Sequence, residues 1–161
     1  MHSKERIKKR IKETKRRVQL LLFSLLLFLC SSAFAQTAER VEALLNAKTV
    51  SYEQAAAFVL EAAEIYPTPA SAFNYVIEQK WLSSNVKGTD EARLDALSLL
   101  IMKAFELKGG ALYSLFQNPH YAYRELQSRD FIEGKTAPST PVSGELLLFV
   151  INRTLAHKES L

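Results

Sequence analysis

The chain has 161 residues, 21 Lys and Arg against 17 Asp and Glu, a formal net charge of +4, and one cysteine. That length supports one domain, and a single cysteine excludes a disulfide framework and a thiolate zinc site. The basic balance is local. Nine of the basic residues and two of the acidic ones fall between Lys4 and Arg17, so residues 36–161 keep 12 basic and 15 acidic groups, net −3. Nucleic-acid binding, which needs clustered positive charge against phosphate, loses its electrostatic basis there.

In chain order, the basic block is followed at once by an apolar run from Leu20 to Cys30, broken only by Ser24, and then by Ser31-Ser32-Ala33-Phe34-Ala35-Gln36. A positive block, a short apolar core and an Ala-Phe-Ala ending make the pattern of a secretory signal peptide over residues 1–35, with cleavage expected after Ala35. Two other readings use the same residues. Uncut, Val18–Ala35 is barely long enough to span a bilayer, which takes about 20 residues, and the positive-inside rule still places the remainder outside the cytoplasm. Alternatively Cys30 is lipid-modified, with Leu29 where a small residue is usual. Each reading exports residues 36–161 to the periplasm or cell envelope, with membrane contact only through the N-terminal segment.

Residues 36–161 are punctuated as helices. Val41, Leu44 and Leu45 fall at helical spacing within Thr37–Ala47. Ser51 and Gln54 form a capping-box pattern ahead of a stripe of Ala55, Phe58, Val59 and Ala62. Pro67-Thr68-Pro69 ends that helix and opens the next, with Thr68 as cap and Pro69 in the first turn, over a stripe of Phe73, Val76, Ile77 and Trp81. Thr89 is expected to cap the longest helix, with Asp90 and Glu91 in its first turn and the apolar run Leu99–Met102 buried on most sides. Gly109-Gly110 stops it. A short helix over Ala111–Gln117, a helix capped by Asn118 with Pro119 next, a loop over residues 133–142, and a last helix from Ser143 to about His157 complete the chain. The run Leu146–Ile151 also suits a buried strand, but the cap and the length favour helix. The expected fold is all-α, a small bundle or orthogonal array of five to six helices.

Three helix starts look alike: Val50-Ser51-Tyr52-Glu53, Gly88-Thr89-Asp90-Glu91 and Val142-Ser143-Gly144-Glu145. They suggest a repeat of roughly 40 to 50 residues, though any well-capped helix shares these features. Pro141 to Glu145, running on to Asn152-Arg153-Thr154-Leu155, with echoes at Val50–Ala63 and Thr89–Phe105, resembles the S-layer homology modules of bacterial envelope proteins. Those open each unit with a capped helix and end a second helix in a loop with Gly and Pro. The overall texture also resembles small spirochaetal envelope proteins. The resemblance implies a helical envelope module with a wall component as ligand. Ser143-Gly144-Glu145 keeps the acid of the family's Thr-Arg-x-Glu signature but has no Arg before it.

Catalytic motifs are not found: His120 and His157 lie far apart, and there is no metalloprotease, nucleophile-elbow, phosphate-loop or dinucleotide pattern. No metal and no cofactor are expected. Fifteen carboxylates are available to supply the pair that glycoside cleavage uses, which keeps a small envelope-glycan hydrolase as an alternative. The most site-like stretch gathers Tyr113, Phe116, His120, Tyr121, Tyr123 and Arg124, rings and polar tips that suit a sugar face or a peptide groove. A purely structural reading has Tyr121 or Tyr123 anchor the helix, one ring buried and the other at the rim. The sequence therefore suggests an exported, non-catalytic envelope protein that binds a wall component or a partner protein. A helical accessory subunit of a periplasmic or outer-membrane assembly is a further alternative.

Overall fold

Helix α1 (Tyr52–Ala62) starts where its cap demands. The Ser51 hydroxyl accepts the Gln54 N–H at 3.3 Å, and the Gln54 side chain accepts the Ser51 N–H at 2.9 Å, satisfying two donors that a helix start leaves open. Its buried face is Tyr52, Ala55, Ala56, Val59 and Leu60. Phe58 and Ala62, expected on that face, are only half-buried. Five helices follow: α2 (Pro69–Glu78), α3 (Leu94–Ala104), α4 (Ala111–Phe116), α5 (Pro119–Ser128) and α6 (Gly144–Glu159).

The computed structural model describes Gln19, residues 38–134 and residues 136–160. The expected signal peptide, its cleavage point after Ala35 and Cys30 lie outside the described residues, Gln19 apart. Residues 38–45 are also helical. From Leu44 onward the described residues form one compact unit. The domain is all-α, and among the described residues no regular strand occurs; the ambiguous run Leu146–Ile151 lies wholly inside α6.

Three short extended segments organise these helices. Val50 donates its N–H to the Val142 carbonyl at 2.8 Å, Val142 donates to Ala92 at 2.9 Å, and Ala92 donates back to Val50 at 2.8 Å. The three residues close a ring of hydrogen bonds, and all three are buried, at 1%, 0% and 0% exposure. Each begins a segment that runs directly into α1, α3 or α6. The bridges Ser51 to Glu91 and Arg93 to Pro141 belong to the same arrangement. The repeat suggested by the helix starts therefore exists, with a different middle member: Ala92-Arg93-Leu94-Asp95 occupies the place expected of Gly88-Thr89-Asp90-Glu91.

The displaced start has a physical reason. The Tyr52 and Glu53 N–H groups at the start of α1 reach the Asp90 and Gly88 carbonyls at 3.1 and 2.9 Å. Those of Leu94 and Asp95 in α3 reach Thr140 and Pro138 at 3.0 and 2.8 Å. Backbone from the neighbouring unit thus caps α3, and Arg93 stands at its N-cap without a side-chain cap bond. Asp90 is used elsewhere, accepting the Lys87 N–H at 2.9 Å in the preceding turn.

The helix ends repeat as well. Glu64, Lys80, Glu106 and Asp130 all adopt left-handed backbone, φ 53–59°. The residue after each returns its N–H to the helix: Ile65 to Leu60, Trp81 to Val76, Leu107 to Met102 and Phe131 to Leu126, each at 2.9 Å. This is the Schellman closure with a non-glycine residue in the glycine position. Left-handed backbone costs about 1–2 kcal/mol for such residues, offset here by an apolar side chain brought against the helix. α3 accordingly ends at Ala104, ahead of Gly109-Gly110, which instead precede α4 with Gly110 as its N-cap.

The stretches 69–107 and 119–157 superpose in sequence with an offset of 50: Pro69 and Pro119, Ala72 and Ala122, Val76 and Leu126, Trp81 and Phe131, and Leu82 and Ile132 correspond. Between α1 and α2 lie residues 63–68, whereas α3 and α5 are separated by residues 105–118, which carry α4. Helix α4 is thus an addition to one unit. Helix α3 packs mainly on α5 and α1 mainly on α2. Leu99–Met102 are buried as expected. Gly144 is required by close approach: a Cβ there would lie 1.6 Å from the Leu44 carbonyl oxygen.

Candidate functional site

The additional helix α4 is held by little. Tyr113 is its one buried side chain, 5% exposed. The Gly110 N–H donates to the Glu125 carboxylate of α5 at 2.8 Å, and Gln117, in left-handed backbone, ends the helix and accepts from the Lys103 ammonium of α3. Three of its six residues present large apolar side chains to solvent: Leu112 at 49%, Leu115 at 74% and Phe116 at 53% exposure. Burial raises the Tyr113 hydroxyl above its ordinary range, and the Glu125 charge adds to the shift, so the ring is a neutral anchor.

The chain then turns through Asn118, whose side chain accepts the Tyr121 N–H at 3.0 Å, into α5. This cap sets three rings together. Phe116 stacks on Tyr121 at 5.3 Å between centroids and 22° between planes, and His120 meets Tyr121 edge-on at 5.3 Å and 74°. Of the six sequence-predicted site residues, Phe116, His120 and Tyr121 form one cluster. Arg124 is exposed on the same helix. Tyr113 and Tyr123 belong to the core: Tyr123 is 4% exposed, and its hydroxyl donates to the Thr136 carbonyl, pinning α5 to the loop before α6. The helix therefore has one tyrosine buried and one, Tyr121, at the rim.

Beside this cluster a cleft of about 750 Å3 opens between the end of α2, the loop after it, α3 and the start of α5. Its walls include Trp81, Leu82, Val86 and Leu99, and its rim includes Glu78, Lys80, Ser83, Gln117 and Asn118. Sequence reasoning assigned Trp81 to the core stripe. It is half-buried, packed edge-on against Tyr75 at 5.8 Å and 89°, and lines the cleft. Leu112 and Leu115 were also missed. Their cue was present: in a six-residue helix after Gly109-Gly110, only one face can reach a core.

Glu78 is the single carboxylate among the residues lining the cleft. Among the described residues, no group of three or more His, Cys, Asp or Glu could hold a metal ion, and no helix is long and apolar enough to cross a membrane. No protein-family model matches the chain, and neither do any curated proteins or solved structures.

Proposed function

We propose that this is an exported, non-catalytic envelope protein that binds a partner protein or a wall component through the α4–α5 face. The observation that carries the reading is the added helix. It brings Leu112, Leu115 and Phe116 into water within five residues, which costs solubility and contributes nothing to the core. Clustered exposed apolar side chains of this kind mark interaction sites. Stacking on Tyr121 restrains the Phe116 ring, so less of its side-chain entropy remains to be lost on binding.

The patch favours a protein partner over a bare glycan, and supports the accessory-subunit form of the reading. The single carboxylate in the cleft supports a binding role over glycoside cleavage, which uses two. The resemblance to S-layer homology modules is kept as an expectation of envelope location. The absent Arg of their signature argues against carrying over the ligand of that family.

Export is tested by the mass of the protein recovered outside the cytoplasm. A mature chain starting at Gln36 is expected, and intact residues 1–35 in a cytoplasmic pool would sink the reading. Binding is tested by retention on sacculi and on membrane extract separately, for wild type and for Leu115→Ser with Phe116→Ala. Capture of one defined membrane protein, lost in the double variant at unchanged melting temperature, is the expected result.

A further inference from the structure

In the sister unit the residue corresponding to Trp81 is covered by the protein's own side chains. With the offset of 50, Trp81 corresponds to Phe131, Leu99 to Phe149 and Leu107 to His157. Phe131 is 5% exposed and is met edge-on by His157 at 5.4 Å. Arg153 lies over the Phe149 ring at 5.2 Å and reaches Glu133 at 3.4 Å. The reason is length: α6 runs to Glu159 whereas α3 stops at Ala104, so position 107 has left the helix while His157 has not. His157 thus lies across Phe131 in one unit, whereas Trp81 of the other lines the open cleft.

From this contrast we infer that the cleft beside Trp81 is a peptide-binding site, taking one apolar side chain of a partner protein between Trp81 and Leu99. The inference rests on the partner-binding reading of the α4–α5 face and names the second half of that surface. Its volume lies in the range of ligand-binding pockets. The polar groups at the rim select the ligand's chemistry. The Asn118 side-chain oxygen already accepts the Tyr121 N–H, and the Gln117 oxygen accepts from Lys103. What these amides bring to a ligand is N–H, and Lys80 adds a third donor. Glu78 and Ser83 add acceptors at the same rim. The slot thus offers both donors and acceptors, which match a backbone that carries a carbonyl oxygen and an N–H at each residue beside its apolar anchor. Phe116 immediately precedes Gln117 and Asn118, so the slot is continuous with the exposed apolar stretch, an extent that suits a polypeptide better than a sugar.

Trp81 is the only tryptophan of the chain, so its fluorescence reports on the slot directly. The probes are short acetylated peptides of Ser and Gly carrying one central Phe, Leu or Asp, and chitotriose, each titrated into the purified full-length protein. The Phe or Leu peptide is expected to shift the emission saturably, and the Asp peptide and chitotriose are not. Leu99→Phe and, independently, Ala96→Leu import the sister unit's residues, and each should weaken the peptide at least about tenfold. Ala96 is only half-buried, so its variant keeps the test valid if Leu99→Phe fails to fold. No shift at millimolar peptide, a shift with chitotriose alone, or peptide binding unchanged in a folded filled-slot variant would overturn the inference. If the slot variants keep partner capture while Leu115→Ser with Phe116→Ala loses it, the slot proposal fails and the α4–α5 reading stands.

Discussion

The units built around Trp81 and Phe131 use the same parts. Each has a proline-led helix, a left-handed residue at its end, an aromatic residue turned back onto it, and an extended segment entering the ring of hydrogen bonds. One unit closes over its aromatic side chain, because α6 is long enough to bring His157 across Phe131. The other leaves Trp81 at the edge of a cleft, because α3 ends early and the chain departs into α4. One scaffold thus serves stability in one copy and surface in the other, and the switch is the length and direction of the following chain.

The sharpest way to break that comparison is to truncate both rings. Phe131→Ala is expected to cost about 4 kcal/mol, the range for a fully buried aromatic. Trp81→Ala should cost no more than about 2 kcal/mol, since part of the ring is already in water. Urea unfolding of the two variants measures the difference, and equal costs would mean the units do not differ as described.

Next in size, Gly144→Ala should lose about 3 kcal/mol, because its Cβ meets backbone rather than a movable side chain. The matching substitution at the start of α3, Leu94→Ala, tests a different quantity, the loss of a buried side chain of about the same worth. The caps sharpen the comparison further. Asn118 caps α5 with its side chain whereas Thr68, at the equivalent position of α2, bonds to Ser71 instead. Asn118→Ala should therefore cost about 1 kcal/mol and Thr68→Ala close to nothing, read as shifts of the thermal midpoint.

The smallest effect appears only in alkali. Burial raises the hydroxyls of both Tyr52 and Tyr113 above the ordinary 10.0, with the Arg93 backbone opposing the shift at Tyr52. A raised folded-state value means that the unfolded chain loses its proton first. The stabilisation is whole below about pH 10 and is lost as pH rises through the folded-state values. Stability measured above pH 10 should fall more steeply in wild type than in Tyr113→Phe. Parallel curves would show that Tyr113 ionises as easily folded as unfolded.

Much of this is legible in the sequence. Ser51 with Gln54, Asn118 with Pro119, and Ser143 are local signals, and each marks a helix start as expected, since a cap bond is made within four residues. Helix ends were less visible, because the chain uses Glu64, Lys80, Glu106 and Asp130 where glycine is the usual sign. The predicted site split for a similar reason. Tyr113, Tyr121 and Tyr123 are equally aromatic in sequence, but helix rotation puts Tyr123 under the Thr136 loop and Tyr121 against Phe116.

By itself, then, the sequence determined an all-α domain, most of its helix starts and the apolar residues of α3, because caps and periodicity are properties of neighbouring residues. Only the tertiary structure decided that Ala92-Arg93-Leu94, and not Thr89, opens α3, and that Trp81 lines a cleft while Phe131 is covered. Those outcomes depend on carbonyls at Thr140 and Pro138 and on the reach of α6. Thr140 and Pro138 lie 46 and 43 residues from Leu94 and Asp95, and His157 lies 26 from Phe131, so no local pattern of side chains encodes them.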